Sequence, residues 1–256
     1  MDFIFSSEAI SALITITFLE IVLGIDNLLF ISIITQKLAL NQQKLASNIG
    51  LFLAMLLRIV LLFGISVVVQ MQSSFISINN SWLKTEINGQ AIILVLGGLF
   101  LLYKSTHEIF EKIENDSSDD KKSTVKISLS KAITQITILN IVFSFDSILT
   151  AVGMTNGIPN SLPIMIISIL VSVGIMMVFM KSVSDFIQKH PSLQILGLSF
   201  LILIGFMLIT EGAHISQTII FDNEVGTIPK GYLYFAISFS LGIEFLNMKM
   251  KNKKLN

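Results

Sequence analysis

The sequence predicts an all-α, polytopic membrane protein: seven transmembrane helices, built as two inverted three-helix repeats plus a seventh helix. Three observations carry this expectation. The 256 residues are 53% hydrophobic and only 13% charged, with a mean hydropathy of +0.80, values of a chain that resides in a bilayer rather than of a soluble domain. Seven apolar stretches alternate with short polar segments, at about Ile10–Thr35, Ser47–Met71, Gly89–His107, Ile133–Met154, Leu162–Met180, Ser192–His214 and Gly231–Phe245. Two of these stretches carry the same polar signature, with aspartates 120 residues apart.

Taken in order, the first stretch follows Met1-Asp2-Phe3-Ile4, which has no basic n-region, and Glu8 precedes the apolar run. A cleaved signal peptide is not expected, so helix 1 should stay in the mature protein. The second stretch contains Arg58. The third closes with Lys104, His107 and Glu108, where snorkelling toward an interface is the default. The region 113–131 that follows is rich in Asp, Lys and Ser, including Asp116-Ser117-Ser118-Asp119-Asp120-Lys121-Lys122. It is too polar to bury and reads as a solvated cytoplasmic linker, in preference to a sensor. The fourth stretch carries the second copy of the signature, the fifth is featureless, the sixth ends with Glu211 and His214, and the seventh holds Glu244 late in its length. Most reach the ~20 residues that cross ~30 Å of hydrocarbon; the seventh is marginal. The chain thus reads as a single membrane domain over 1–256, with repeat one at 8–112, repeat two at 132–215 and the seventh helix at 231–246.

Charge is balanced overall but not in space. Thirteen lysines follow helices 1, 3, 5 and 7, from Lys37 and Lys44 to Lys249, Lys251, Lys253 and Lys254, against Lys84 and Lys230 on the other side. By the positive-inside rule the N-terminus lies outside and the C-terminus in the cytoplasm, with multi-pass placement in the cell (inner) membrane. There are no cysteines, which excludes disulfides and thiolate metal sites.

The paired signature is the functional clue. Helix 1 reads Leu19-Glu20-Ile21-Val22-Leu23-Gly24-Ile25-Asp26-Asn27-Leu28-Leu29, and helix 4 reads Leu139-Asn140-Ile141-Val142-Phe143-Ser144-Phe145-Asp146-Ser147-Ile148-Leu149. Glu20 aligns with Asn140, Gly24 with Ser144, Asp26 with Asp146 and Asn27 with Ser147. An aspartate mid-span costs roughly 2.5–3.5 kcal/mol on insertion scales, so a duplicated one argues for a shared site between inverted halves, near the midplane. A second internal match sets Gly98-Leu99-Phe100-Leu101-Leu102 against Gly205-Phe206-Met207-Leu208-Ile209, with Lys104 on Glu211 and His107 on His214.

Glu20, Gly24 and Asn27 fall on one helical stripe, and Asn140, Ser144 and Ser147 on its counterpart. Gly24 and Ser144 are small enough to let helices approach. Asp26 and Asp146 lie about 100° off these stripes on an ideal helix. Either they face another helix, or the segment around Gly24–Asn27 departs from helical geometry and frees carbonyls as ligands. Arg58 is a candidate counter-ion for one carboxylate. Lys104, Glu211, His214 and Glu244 are candidate supporting charges or proton carriers, with simple hydration an equal reading for those near helix ends. The donor set for a metal is therefore Glu20, Asp26, Asn27, Asn140, Asp146 and Ser147. Carboxylate, amide and hydroxyl oxygens without thiolate suit hard divalent ions such as Mn²⁺, Mg²⁺ or Ca²⁺. Crowded carboxylates in low dielectric repel one another, so an empty site should take up protons and an arriving cation displace them.

These residues carry a resemblance. Leu19 to Asn27, Gly97-Gly98-Leu99-Phe100-Leu101-Leu102-Tyr103-Lys104, Ile141 through Met154, Glu211-Gly212 with His214, and Pro229-Lys230-Gly231-Tyr232 resemble the ordered motifs of the TerC integral membrane proteins over nearly the whole chain. That family is similar to the wider superfamily of LysE-type exporters and is associated with manganese efflux and with tellurium resistance. The resemblance implies manganese as the transported ion, with no permanently bound cofactor, no enzyme activity and no nucleic-acid partner. The partners it implies are the lipid bilayer and a divalent metal ion, with homo-oligomerisation left open. One departure stands out: the family pattern usually has Asp where this chain has Asn140, so the site is one charge lower.

Two other classes compete with export. Two aspartates on separate helices could form the dyad of an intramembrane aspartyl protease, but the Gly-x-Gly-Asp pattern is absent around Asp26 and Asp146, as are HExxH and GxSxG. An accessory membrane protein aiding metalation or secretion of exported proteins is the remaining alternative.

Overall fold

A computed structural model describes residues 7–64, 73–117, 127–155 and 161–253. They form seven α-helices and four short strands: α1 (Ser7–Thr35), α2 (Leu40–Phe63), β1 (Ser74–Asn79), β2 (Leu83–Asn88), α3 (Gly89–Ser117), α4 (Leu129–Met154), α5 (Ser161–Lys189), α6 (Pro191–Ile215), β3 (Ile219–Ile220), β4 (Asn223–Glu224) and α7 (Lys230–Lys253). The seven apolar stretches thus each became a helix. By length and composition five of them can cross a membrane: Ala9–Thr35, Leu40–Phe63, Gly89–Glu114, Ser161–Lys189 and Pro191–Ile215. α4 adds a shorter apolar run, Leu129–Phe145. Among the described residues α7 does not reach that mark, because its second half carries Lys249, Lys251 and Lys253. The chain is a polytopic, predominantly helical membrane protein.

It is not purely α. A four-stranded antiparallel sheet, in the order β1-β2-β3-β4, departs from the all-α expectation. Its physical reason is the period-two alternation of Phe75-Ile76-Ser77-Ile78-Asn79 and Leu83-Lys84-Thr85-Glu86-Ile87 around an Asn80-Ser81 turn. α3 also runs on to Ser117, into the segment read as linker; the remainder of the acidic and basic run, 118–126, lies outside the described residues.

The chain divides into two compact units, each drawing on both ends of the sequence. The first, residues 1–70 and 123–186, contains α1, α2, α4 and α5. α2 lies along α4, and α1 packs on both. Gly50 permits the α2–α4 approach: a Cβ there would stand 2.8 Å from Ile136 Cγ2, inside van der Waals contact. Gly24 plays the same part toward α5, where a Cβ would meet Met176 Sδ at 2.5 Å. Buried Ile31, Leu51, Leu62, Ile136, Leu139 and Ile148 fill the spaces between these helices. Ser128 caps α4 by accepting from the Lys131 N–H at 3.3 Å.

The second unit, residues 71–122 and 187–256, contains the sheet, α3, α6 and α7. Pro191 opens α6 at a position where its missing N–H costs no helix bond. α3 and α6 form the closest helix pair. A Cβ on Gly98 would lie 2.6 Å from the Gly205 carbonyl oxygen, one on Gly205 would lie 2.9 Å from the Gly98 oxygen, and Gly212 meets the Ala91 oxygen in the same way. This small-residue contact, repeated every two turns, lets the backbones touch where lipid supplies no hydrophobic drive. Asn88 ties the ends together: its Oδ1 accepts from Ala91 N–H at 2.8 Å, capping α3, and its Nδ2 donates to the Ile215 carbonyl at 3.2 Å.

Candidate functional site

The first unit buries a set of polar residues on α1, α2 and α4. Glu20, Asn27, Arg58, Asn140, Ser144 and Ser147 are all at most 4% exposed. In the interior of such apolar helices each needs a partner or a cavity, since an unsatisfied polar group there costs several kcal/mol, of order 1–3 even in soluble proteins.

Glu20 has one. Its Oε2 accepts from Arg58 Nη1 at 2.5 Å, joining the middle of α1 to the second half of α2. Arg58 is itself incompletely satisfied: its Nε–H has no hydrogen-bond partner and is fully buried. A guanidinium carries five donors in a fixed fork, and one of them, on Nη1, meets the Glu20 carboxylate.

On α4 the polar groups turn toward backbone. Asn140 Nδ2 reaches the Gly50 carbonyl of α2 at a long 3.4 Å, Ser144 Oγ donates to the Asn140 carbonyl at 2.5 Å, and Ser147 Oγ donates to the Ser144 carbonyl at 3.3 Å. Each serine thereby spends its proton on its own helix and keeps the oxygen lone pairs for another donor or a cation.

α1 is helical through Gly24–Asn27 and α4 through Ser144–Ser147. The interrupted-helix alternative is thus not what the backbone adopts, and Asp26 and Asp146 sit on unbroken helices. The side chains of Asp26 and Asp146 lie outside the described residues.

The remaining candidates belong to the second unit. Lys104 Nζ contacts Glu108 Oε1 at 2.7 Å one turn along α3, and both side chains are largely buried. Glu211 is half-buried near the end of α6, and His214 is exposed with Nδ1 3.3 Å from the Val225 carbonyl. Glu244 Oε1 accepts from Ser192 Oγ at 2.5 Å, tying α7 to the start of α6. The structure therefore brings Glu20 to Arg58 and Lys104 to Glu108. It assigns Lys104, Glu211, His214 and Glu244 to a different compact unit from Glu20, Asn27, Asn140 and Ser147.

One participant, the Gly50 carbonyl, gives no sequence signal. Glu108 is visible in the sequence beside Lys104, and its place four residues on, the spacing of helical ion pairs, is the signal for their contact.

Comparison with known proteins agrees with the motifs. The model of the family described as "Integral membrane protein TerC family" matches residues 5–254. The "UPF0053 protein" of Haemophilus influenzae is 41% identical over 250 residues, 98% of each chain. The "UPF0053 inner membrane protein YgdQ" of Escherichia coli K12 is 43% identical over 243 residues, 95% of this chain and 93% of that one. The "UPF0053 inner membrane protein YoaE" of the same strain is 38% identical over 247 residues, but these are only 44% of its length. No solved structure matches the chain. On a family match over nearly its whole length and on full-length relatives above 40% identity, the chain belongs to the TerC family of integral membrane proteins.

Proposed function

We propose that this protein exports a divalent metal ion, manganese in the first instance, from the cytoplasm across the inner membrane in exchange for protons. The observation that carries the reading is the Glu20–Arg58 pair, a carboxylate held at 2.5 Å by a cation inside a unit of apolar helices, the same compact unit that buries the oxygen donors Asn27, Asn140, Ser144 and Ser147. A purely structural ion pair could be replaced by apolar packing at no cost. Retained here among hydroxyls and amides with no cysteine, it supports a site for a hard cation.

In this mechanism Arg58 occupies the charge position of the cargo when no cargo is present. Glu20 becomes a metal ligand only when the guanidinium withdraws, so metal and Arg58 compete for one carboxylate. Asp26 and Asp146 supply the remaining charge from equivalent places on α1 and α4, taking protons when the ion has left. Asn140, in place of the family's usual Asp, lowers the charge by one and weakens the hold on ion or proton.

The seven-span arrangement as inverted repeats, N-terminus out and C-terminus cytoplasmic, is part of this proposal. Gly98 and Gly205, equated by the internal alignment, pack reciprocally on each other, as equivalents across a twofold axis do. The protein acts as a transporter and not as an enzyme. A deletion strain tests the function: sensitivity to external Mn²⁺ should rise and be reversed by the parent gene but not by Asp26→Asn or Asp146→Asn at equal abundance. A strain whose Mn²⁺ tolerance does not depend on the gene, tested alongside Mg²⁺ and Ca²⁺, refutes manganese export.

A further inference from the structure

We propose that the β1–β4 sheet is a membrane-interface anchor, whose apolar face rests at the headgroup–hydrocarbon boundary and seats Trp82 and Phe221 there. The pairing register sorts the sheet into two faces. Directly paired residues share a face, so Ile76 with Ile87, Ile78 with Thr85, and Leu83 with Ile220 and Asn223 lie on one side, while Ser77 with Glu86, Asn79 with Lys84, and Ile219 with Glu224 lie on the other. The first side is mostly aliphatic, with Thr85 and Asn223 its polar members, and the second is polar and charged apart from Ile219. The aliphatic side is only partly covered: Ile78, Leu83 and Ile87 are half-buried, and Ile76 and Ile220 are 49% and 42% exposed, where a folded sheet normally covers its apolar face.

The occupant follows from where the sheet is attached. β2 enters α3 with no intervening residue, and β3 follows α6 after three residues, both helices apolar enough to span the bilayer. The sheet is therefore tethered directly at the ends of two helices apolar enough to span, the level at which a bilayer gives way to water. Upright, β2 would lift Leu83 roughly 17–20 Å above Gly89 at about 3.3 Å per residue, leaving the face in water. Lying flat, it meets lipid along its length.

The two tips add exposed aromatic rings, of which Trp82 is of a type enriched at membrane interfaces. Trp82 ends the β1–β2 turn and Phe221 begins the β3–β4 turn; they are 51% and 71% exposed, with ring centroids 6.5 Å apart and the Phe221 N–H donating to the Trp82 carbonyl at 3.0 Å. Phe221 and Asp222 have φ of 47° and 60°, the left-handed pair that a tight hairpin turn requires and that Asn-Gly satisfies best. A bulky aromatic in that conformation is strained. Folding alone favours Asn here, and an exposed ring held against that preference points to a contact outside the chain.

The chain has one tryptophan, so Trp82 reports alone. The full-length protein is reconstituted in phosphatidylcholine–phosphatidylglycerol vesicles, with and without lipid brominated near the acyl carbonyl. Trp82 should emit to the blue of tryptophan in water, lose most of its emission to the brominated lipid and resist acrylamide. Phe221→Asn, which suits the turn, should keep the thermal midpoint while the brominated-lipid quenching falls. Free quenching by acrylamide with none by lipid would place the face in water. Shielding from both would mean that protein, such as a second copy, covers it. Either result, or unchanged lipid quenching in Phe221→Asn, overturns the proposal.

Discussion

Replacing Arg58 by Gln removes the cation from a buried carboxylate and leaves Glu20 without compensation. Both side chains are at most 3% exposed and touch at 2.5 Å, so neither can recruit bulk water by a small shift. Breaking such a pair from one side costs about 3–5 kcal/mol, about two to four decades in the ratio of folded to unfolded protein at about 1.4 kcal/mol per decade. Glu20→Gln should cost a similar amount, since it strands the guanidinium, whose Nε–H is already without a hydrogen-bond partner. Removing both charges as Glu20→Met with Arg58→Met should be far milder than the sum of the singles, because apolar packing replaces both desolvation penalties. The assay is unfolding in mixed micelles with increasing dodecyl sulfate, followed by far-ultraviolet circular dichroism. Single variants that each lose less than about 1 kcal/mol, the value of an exposed pair, and that add in the double variant, would refute a buried, mutually neutralised pair. If the double variant is stable yet inactive in transport, the pair serves function and not the fold.

Further consequences can be measured separately. Gly98→Leu drives a side chain into the Gly205 carbonyl and should destabilise the α3–α6 pair by at least about 1–3 kcal/mol, whereas Gly174→Ala, where a Cβ meets nothing within 4 Å, should stabilise by about 0.5–1 kcal/mol; equal thermal shifts for both would contradict the packing. Asn140→Asp restores the charge that the family pattern usually has, and should tighten Mn²⁺ binding measured by calorimetry in detergent; unchanged affinity would remove Asn140 from the site. A fluorescent protein at the C-terminus should glow and alkaline phosphatase there stay inactive, the reverse result overturning the cytoplasmic C-terminus. Lys121→Ala and Asp119→Ala in the linker should leave Mn²⁺ tolerance at the parent level, and a loss there would give the linker a role beyond connection.

What the sequence made legible follows from the physics of each signal. Helix positions were readable because hydrocarbon demands long apolar runs, and Glu20 and Arg58 were conspicuous as ionisable residues within them. Arg58 reads from the sequence as a counter-ion for one carboxylate, but that this is Glu20 does not, because it depends on how far α1 and α2 slide past one another, which apolar periodicity leaves free. The sheet was overlooked although Leu83-Lys84-Thr85-Glu86-Ile87 alternates with period two: between apolar spans, a polar segment of this length is easily taken for a plain loop. Lys104 reads as a snorkelling residue by its place near a helix end, and the i,i+4 spacing to Glu108 also offers it the local partner that it meets. The close contact of Gly98 with Gly205 lay within reach, since both stood in the internal alignment, but alignment equates residues without bringing them together.

The most direct test of the transport account is metal flux through the purified chain alone. Vesicles containing only this protein, a Mn²⁺-sensitive dye and a pH indicator are given external Mn²⁺ under a proton gradient. The account requires Mn²⁺ movement coupled to opposite proton movement, abolished by Asp26→Asn, Asp146→Asn or the Glu20→Met and Arg58→Met pair in protein that reconstitutes normally. Vesicles that stay as impermeable to Mn²⁺ as protein-free ones, or flux that those variants leave at the parent rate, would contradict it.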